Sequence, residues 1–127
     1  MDGVSFHDAL DISTGVAHRH RANVLVSNRV ADDDQLVAIV RAALEALARD
    51  RSVPLPPGAR GPGGGAVADV AFVFAYDRLD LLGTGQTIAR GQYISHTLDG
   101  RWHPATLPGG RERQQDGDYL VVLDRPA

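Results

Sequence analysis

Residues 32–49 read DDDQLVAIVRAALEALAR, and the fold turns on this stretch. Leu36, Ile39, Val40, Ala43, Leu44 and Leu47 recur at steps of three and four, so a helix gathers them on one stripe and leaves the opposite side polar. Asp32 stands where a capping carboxylate accepts from exposed amides, and Gln35, three residues on, completes the pattern of a capping box. The remaining acids suit the positive end of the helix dipole. Glu45 and Arg49 are ordered for an i,i+4 ion pair worth roughly 0.3 kcal/mol. Pro54 cannot continue the helix, which is expected to end within 49–52.

A helix with one apolar stripe needs a surface to lie on, and the flanking segments supply strands. Over residues 4–12, Val4, Phe6, Leu10 and Ile12 alternate with Ser5, His7, Ala9 and Asp11 before the turn-forming Ser13-Thr14-Gly15. Over 16–30, Ala22, Val24, Val26 and Val30 share one parity while Arg21, Asn23, Ser27 and Arg29 share the other. An N-terminal hairpin with one wet face follows from that. Residues 67–76 are apolar on both parities after Asp69, as expected of a central strand covered on both sides. Residues 86–98 form a weaker strand ending at Asp99-Gly100, a turn signal. Trp102 opens a short returning stretch cut by Pro104, residues 107–118 read as an exposed loop, and 119–123 close the chain as a strand.

The expected fold is therefore α+β and two-layered: one main amphipathic helix on a mainly antiparallel sheet of about five strands, in the order β-β-α-β-β-β. At 127 residues the chain is expected to form a single domain, 1–127, with one core. The Pro- and Gly-rich stretch 53–65 has little to bury and is expected to be a flexible loop. Within it, residues 51–57 match the pattern of a proline-rich docking peptide, but prolines after a helix are ordinary stop signals.

Composition excludes several classes of function. With 43% hydrophobic and 23% charged residues, a packed fold is the default. No cysteine is present, which rules out disulfides, thiolate chemistry and cysteine zinc sites. No apolar run has the length of a membrane span and residues 1–4 lack a signal-peptide pattern, so a cytoplasmic location without membrane association is expected. A net charge of −3 argues against a nucleic-acid surface, which needs clustered positive charge. All 13 basic residues are arginine; with abundant Ala, Gly and Asp this points to a GC-rich bacterial coding sequence. Its cations are thus planar, permanently charged and suited to carboxylates or phosphates.

Several groupings bear on chemistry. His18 and His20, two apart, would share one face of a strand, but with no third ligand they read as surface histidines. Asp32, Asp33 and Asp34 diverge along a helix start and lack the alternating ligands of a calcium loop. Residues 83–87 have the glycines of a phosphate loop without its lysine or following helix, and no Gly-x-Ser-x-Gly occurs. No cofactor and no metal are expected.

Two functional readings come forward. The first is a small non-catalytic interaction or regulatory module that binds another protein or itself, through a sheet edge or the face that one helix leaves uncovered. The second is a small-molecule binder or enzyme with a pocket between the sheet and the 77–85 and 99–117 loops. The binding residues expected are Asp77, Asp80, His96, Arg101, Trp102 and His103. Trp102 is also expected to cluster with Tyr93 and Tyr119. Nucleic-acid binding would require Arg19, Arg21, Arg29 and Arg90 on one face with aromatics between them.

Overall fold

In the computed structural model, which describes residues 3–27, 30, 32–50, 53–58 and 67–126, helix α1 spans Asp33–Arg49. Asp32 is its N-cap in extended geometry, and its Oδ1 accepts from the Gln35 amide at 2.8 Å. Leu36, Val40, Ala43, Leu44 and Leu47 are fully buried, with Ile39 packed beside them, so the apolar stripe lies on the sheet as its spacing dictates. At the other end Asp50 closes the helix through its amide to the Ala46 carbonyl. No helix among the described residues is long and apolar enough to cross a membrane.

The sheet comprises β1 (Val4–Asp11), β2 (Arg19–Val26), β3 (Val70–Tyr76), β4 (Ala89–Ile94), β5 (Glu112–Asp116) and β6 (Tyr119–Leu123). Their spatial order is β1-β2-β3-β4-β6-β5. Only β2 and β3 run parallel, because α1 returns the chain between them; the other pairings are antiparallel. The architecture is thus the expected two-layer α+β arrangement, with six strands where about five were anticipated.

The added strand is β5, in a stretch read as an exposed loop. Its sequence, Glu-Arg-Gln-Gln-Asp, is polar on both faces, so alternation could not reveal it. It forms through a hairpin whose Asp116 pairs with Tyr119, with Gly117 at φ 58° in the connection. The Asp99-Gly100 signal has a different outcome. Asp99 accepts from the Arg101 amide and opens a single 3-10 turn, Gly100–Trp102, after which the chain does not return as a strand.

In β1 the expected alternation breaks. His7 pairs with Asn23 but Leu10 pairs with Arg21, so Asp8 and Ala9 form a bulge, with Asp8 at φ 54°. Val4 and Phe6 pack against the core, whereas Leu10 is moved to the opposite face and Asp11 is buried opposite His20. The 53–65 segment also differs from a free loop in its first part. Val53 is buried and Leu55 packs on the core, while the Pro56 carbonyl accepts from Asp11 and the Gly58 amide donates to the Asp11 carbonyl at 2.6 Å. These bonds set residues 56–58 beside β1 and exclude a freely displayed proline-rich ligand there; residues 59–66 and Arg51–Ser52 lie outside the described residues.

Helix and sheet approach closely at Gly91 of β4. A Cβ there would stand 2.6 Å from Val40 Cγ1 and 2.7 Å from Leu44 Cδ1, so a side chain would push the layers apart. Across β2, β3, β4 and β6 the covered face is formed by Ala22, Val24, Val73, Ala75, Ala89, Val121 and Leu123. The start of the helix is also tied down by charge: Asp33 pairs with Arg111 at 2.7 Å and with Arg125 at 3.4 Å.

Candidate functional site

Because side chains alternate along a strand, register fixes what the sheet presents away from α1. Arg21, Phe72 and Gln92 form one row across β2, β3 and β4; Asn23, Phe74 and Arg90 form the next. The both-parity apolar run of β3 is explained here: Ala71, Val73 and Ala75 are sealed beneath the helix, while Phe72 and Phe74 emerge half-buried on the other side. The expected cover on both faces is complete beneath the helix, and on the other side it reaches Val70 and Tyr76 but only half covers Phe72 and Phe74.

Part of this second face is roofed. Residues 98–111 run over β4 and β6 as a strap. Gln92, only 2% exposed, donates through Nε2 to the Ala105 carbonyl at 2.9 Å and accepts from the Leu107 amide at 3.4 Å. Gly110, at φ 86°, lies so close to Val122 that a Cβ would overlap it. Arg90 is consumed locally: Nε and Nη2 each donate to Asp124 at 2.8 Å, and Thr87 adds a bond of 2.6 Å. Burial alone would raise the Asp124 carboxyl, but the hydrogen bonds from Arg90 and Thr87, with the charge of Arg90, hold it below the usual carboxylate range.

Over β2 and β3 the face is open around Arg21, Phe72 and Phe74, while Asn23, Val70 and Tyr76 on the same side are buried. The Arg21 guanidinium lies 5.3 Å from the Phe74 ring centroid, exposed and without a carboxylate partner among the described residues. Arg19 donates to the Trp102 carbonyl at 2.7 Å, fixing one margin of this area. Asn23 donates to Asp8 at 3.1 Å, which ties the bulge to β2. The 77–85 loop closes the far end, with the Gly85 amide donating to the Tyr76 hydroxyl at 3.3 Å.

The residues anticipated for a site fall in three places. Asp77 and Asp80 follow β3, on a turn where Arg78 grips Asp80 through two bonds of 3.1 and 2.8 Å and Asp77 stays exposed. Arg101 and Trp102 lie on the strap, the guanidinium 5.5 Å from the ring centroid and paired with Asp99 at 3.0 Å. His96 and His103 line a cleft of about 240 Å³ between the strap and the β4–β6 surface. His96 Nδ1 lies 2.9 Å from Asp118, and His103 Nε2 lies 2.9 Å from the Leu98 carbonyl. Asp118 was not anticipated; burial would raise its carboxyl, but bonding to His96 keeps it low. Asp77 and Asp80 are at the opposite end of β3 from this cleft, since Ile94 pairs with Val70. The expected residues therefore do not form one pocket.

Other expectations also change. His20 is 1% exposed on the helix side with Nδ1 2.8 Å from the Leu47 carbonyl, while His18 precedes β2 and is exposed, so the two do not act as a surface pair. Among the described residues no group of three or more metal-ligating side chains converges. Tyr93 and Tyr119 meet in a tilted ring pair, centroids 5.1 Å apart, on the helix side, whereas Trp102 is on the strap, outside that cluster. Arg19, Arg21 and Arg90 do share a face with Phe72 and Phe74 between them, but Arg19 and Arg90 are engaged internally and Arg29 lies outside the described residues. Comparison with protein-family models, curated proteins and solved structures returns no match.

Proposed function

We propose that this protein is a non-catalytic interaction module that receives a protein partner on the open face of β2 and β3. The observation carrying this reading is the exposed Arg21 guanidinium, unpaired among the described residues, over a half-buried Phe72–Phe74 floor. Arginine and aromatic side chains are the types that dominate binding energy at protein interfaces. The histidines and Asp80 expected to bind a small ligand are engaged by Asp118, the Leu98 carbonyl and Arg78. The test compares wild type with Arg21→Glu and Phe72→Ser as bait in native lysate, after circular dichroism establishes that each variant is folded. A partner identified with wild type and lost with both variants supports the reading; an identical set of partners for all three overturns it.

A second reading rests on the cleft under the strap, where the His96–Asp118 pair and His103 meet in a space near the lower size limit for ligand pockets. Small-molecule screening by thermal shift tests it, because a ligand of the native state raises the melting temperature by mass action. A shift abolished by His96→Ala but unaffected by Arg21→Glu would favour this site over the open face.

A further inference from the structure

Resting on the reading of the β2–β3 face as a protein-binding surface, we infer that one partner is a second copy of this chain, whose Asp77–Leu79 turn docks on Arg21, Phe72 and Phe74. The chain displays the chemical complement of its own open face. Leu79 is 65% exposed, the largest exposure among the large hydrophobic side chains described. It stands on the 3-10 turn Leu79–Leu81, immediately after Asp77 and Arg78. Arg78 neutralises Asp80, which leaves Asp77 as a carboxylate without a partner among the described residues. The receiving face has the inverse composition: one unpaired guanidinium over the Phe74 ring, with a second half-buried ring, Phe72, beside it. Asp77 would pair with Arg21, and Leu79 would take the apolar floor.

Placement agrees with chemistry. The 77–85 loop folds toward the open side, since Gly83 stands next to the Asn23 amide and Gly85 bonds to Tyr76. Donor turn and acceptor face are thus on the same side of β3, as an isologous two-fold contact requires, each copy giving its turn and receiving the other. A single strand of nucleic acid fits less well, because its affinity comes largely from several free cations along the backbone. Arg90 and Arg101 are each matched by an internal carboxylate, and Arg19 is held by a carbonyl.

Sedimentation velocity over a concentration series up to about 1 mM tests the inference, a range that captures even a weak dimer. Wild type is expected to dimerise reversibly. Arg21→Asp, Asp77→Arg and Leu79→Ser should each raise the dissociation constant at least about tenfold, and the double variant Arg21→Asp/Asp77→Arg should regain most of the loss. The substituted side chains are exposed, so folding is expected to survive and is checked by circular dichroism. A monomer throughout overturns the inference, as does a dimer indifferent to these changes or not rescued by the swap. Binding of a labelled oligothymidylate by monomeric wild type, lost in Arg21→Asp, would also overturn it. A monomeric wild type leaves the reading of the face as a partner site to the lysate comparison, which can fail separately.

Discussion

Arg21 is in register with Phe72, yet its guanidinium lies over Phe74, one pair further along β3. The diagonal reach covers one ring and leaves its neighbour, Phe72, without a cation over it. A cation over an exposed ring contributes about 0.5–1 kcal/mol, so Arg21→Ala should lower unfolding free energy by no more than that in urea titration while removing partner binding. A larger loss of stability would mean that Arg21 holds the fold.

The Arg90–Asp124 pair should behave in the opposite way. Both side chains are 17% exposed, and removing one partner leaves the other charge poorly solvated. Arg90→Ala is expected to cost on the order of 2 kcal/mol in urea or thermal unfolding, reduced from the cost of a fully buried pair by the remaining solvent access.

Carboxylates with lowered pKa tie the stability of the fold to pH. Asp33, held down by Arg111, Asp118 by His96, and Asp124 by Arg90 and Thr87, all lie below the usual aspartate range when folded. A depressed folded pKa contributes stability that is complete above the unfolded value of about 3.9 and is lost as pH falls through the folded value. The urea midpoint should therefore be flat from pH 7 to about 5 and fall below about 4, with a shallower fall in Asp124→Asn. An equally steep fall in that variant would remove Asp124 from the account.

Gly91→Ala tests the close approach of the two layers at β4. Its Cβ would intrude on Val40 and Leu44, and overpacking of this kind costs about 1–3 kcal/mol, read as a lower melting temperature. Trimming Leu44 to Val in the same chain should recover part of it.

At the bulge, Asp8 adopts φ 54° and accepts from Asn23. Asp8→Val places a β-branched residue in left-handed backbone and removes that bond, and should destabilise by about 2 kcal/mol. Asp8→Gly should cost less, since it loses the bond alone.

Much of the frame was legible in the chain. The stripe from Leu36 to Leu47 and the Asp32 cap predicted α1, and the parity of Ala22, Val24 and Val26 predicted the covered side of β2. What escaped was set by backbone geometry and distant pairing. The bulge at Asp8 reverses the parity of Leu10 with no local mark beyond an aspartate, and β5 has no apolar residue to betray it. Asp116-Gly117 was the available turn signal for that hairpin. The candidate surface was visible only in part: Phe72 and Phe74 share a parity in the sequence, but which side the helix covers follows from the crossover. Asp118 meets His96 across 22 positions, a separation that no local pattern encodes.

The margins of the sheet carry a consequence of their own. β1 is interrupted by its bulge and bordered at Asp11 by Pro56–Gly58, while β5 offers an intruding strand only a short row of charged and amide side chains. Neither side therefore provides a long, regular template for open-ended, fibril-like growth. A pairing through the two phenylalanines of the kind inferred above would close on itself, with no free seam left on which a third chain could build.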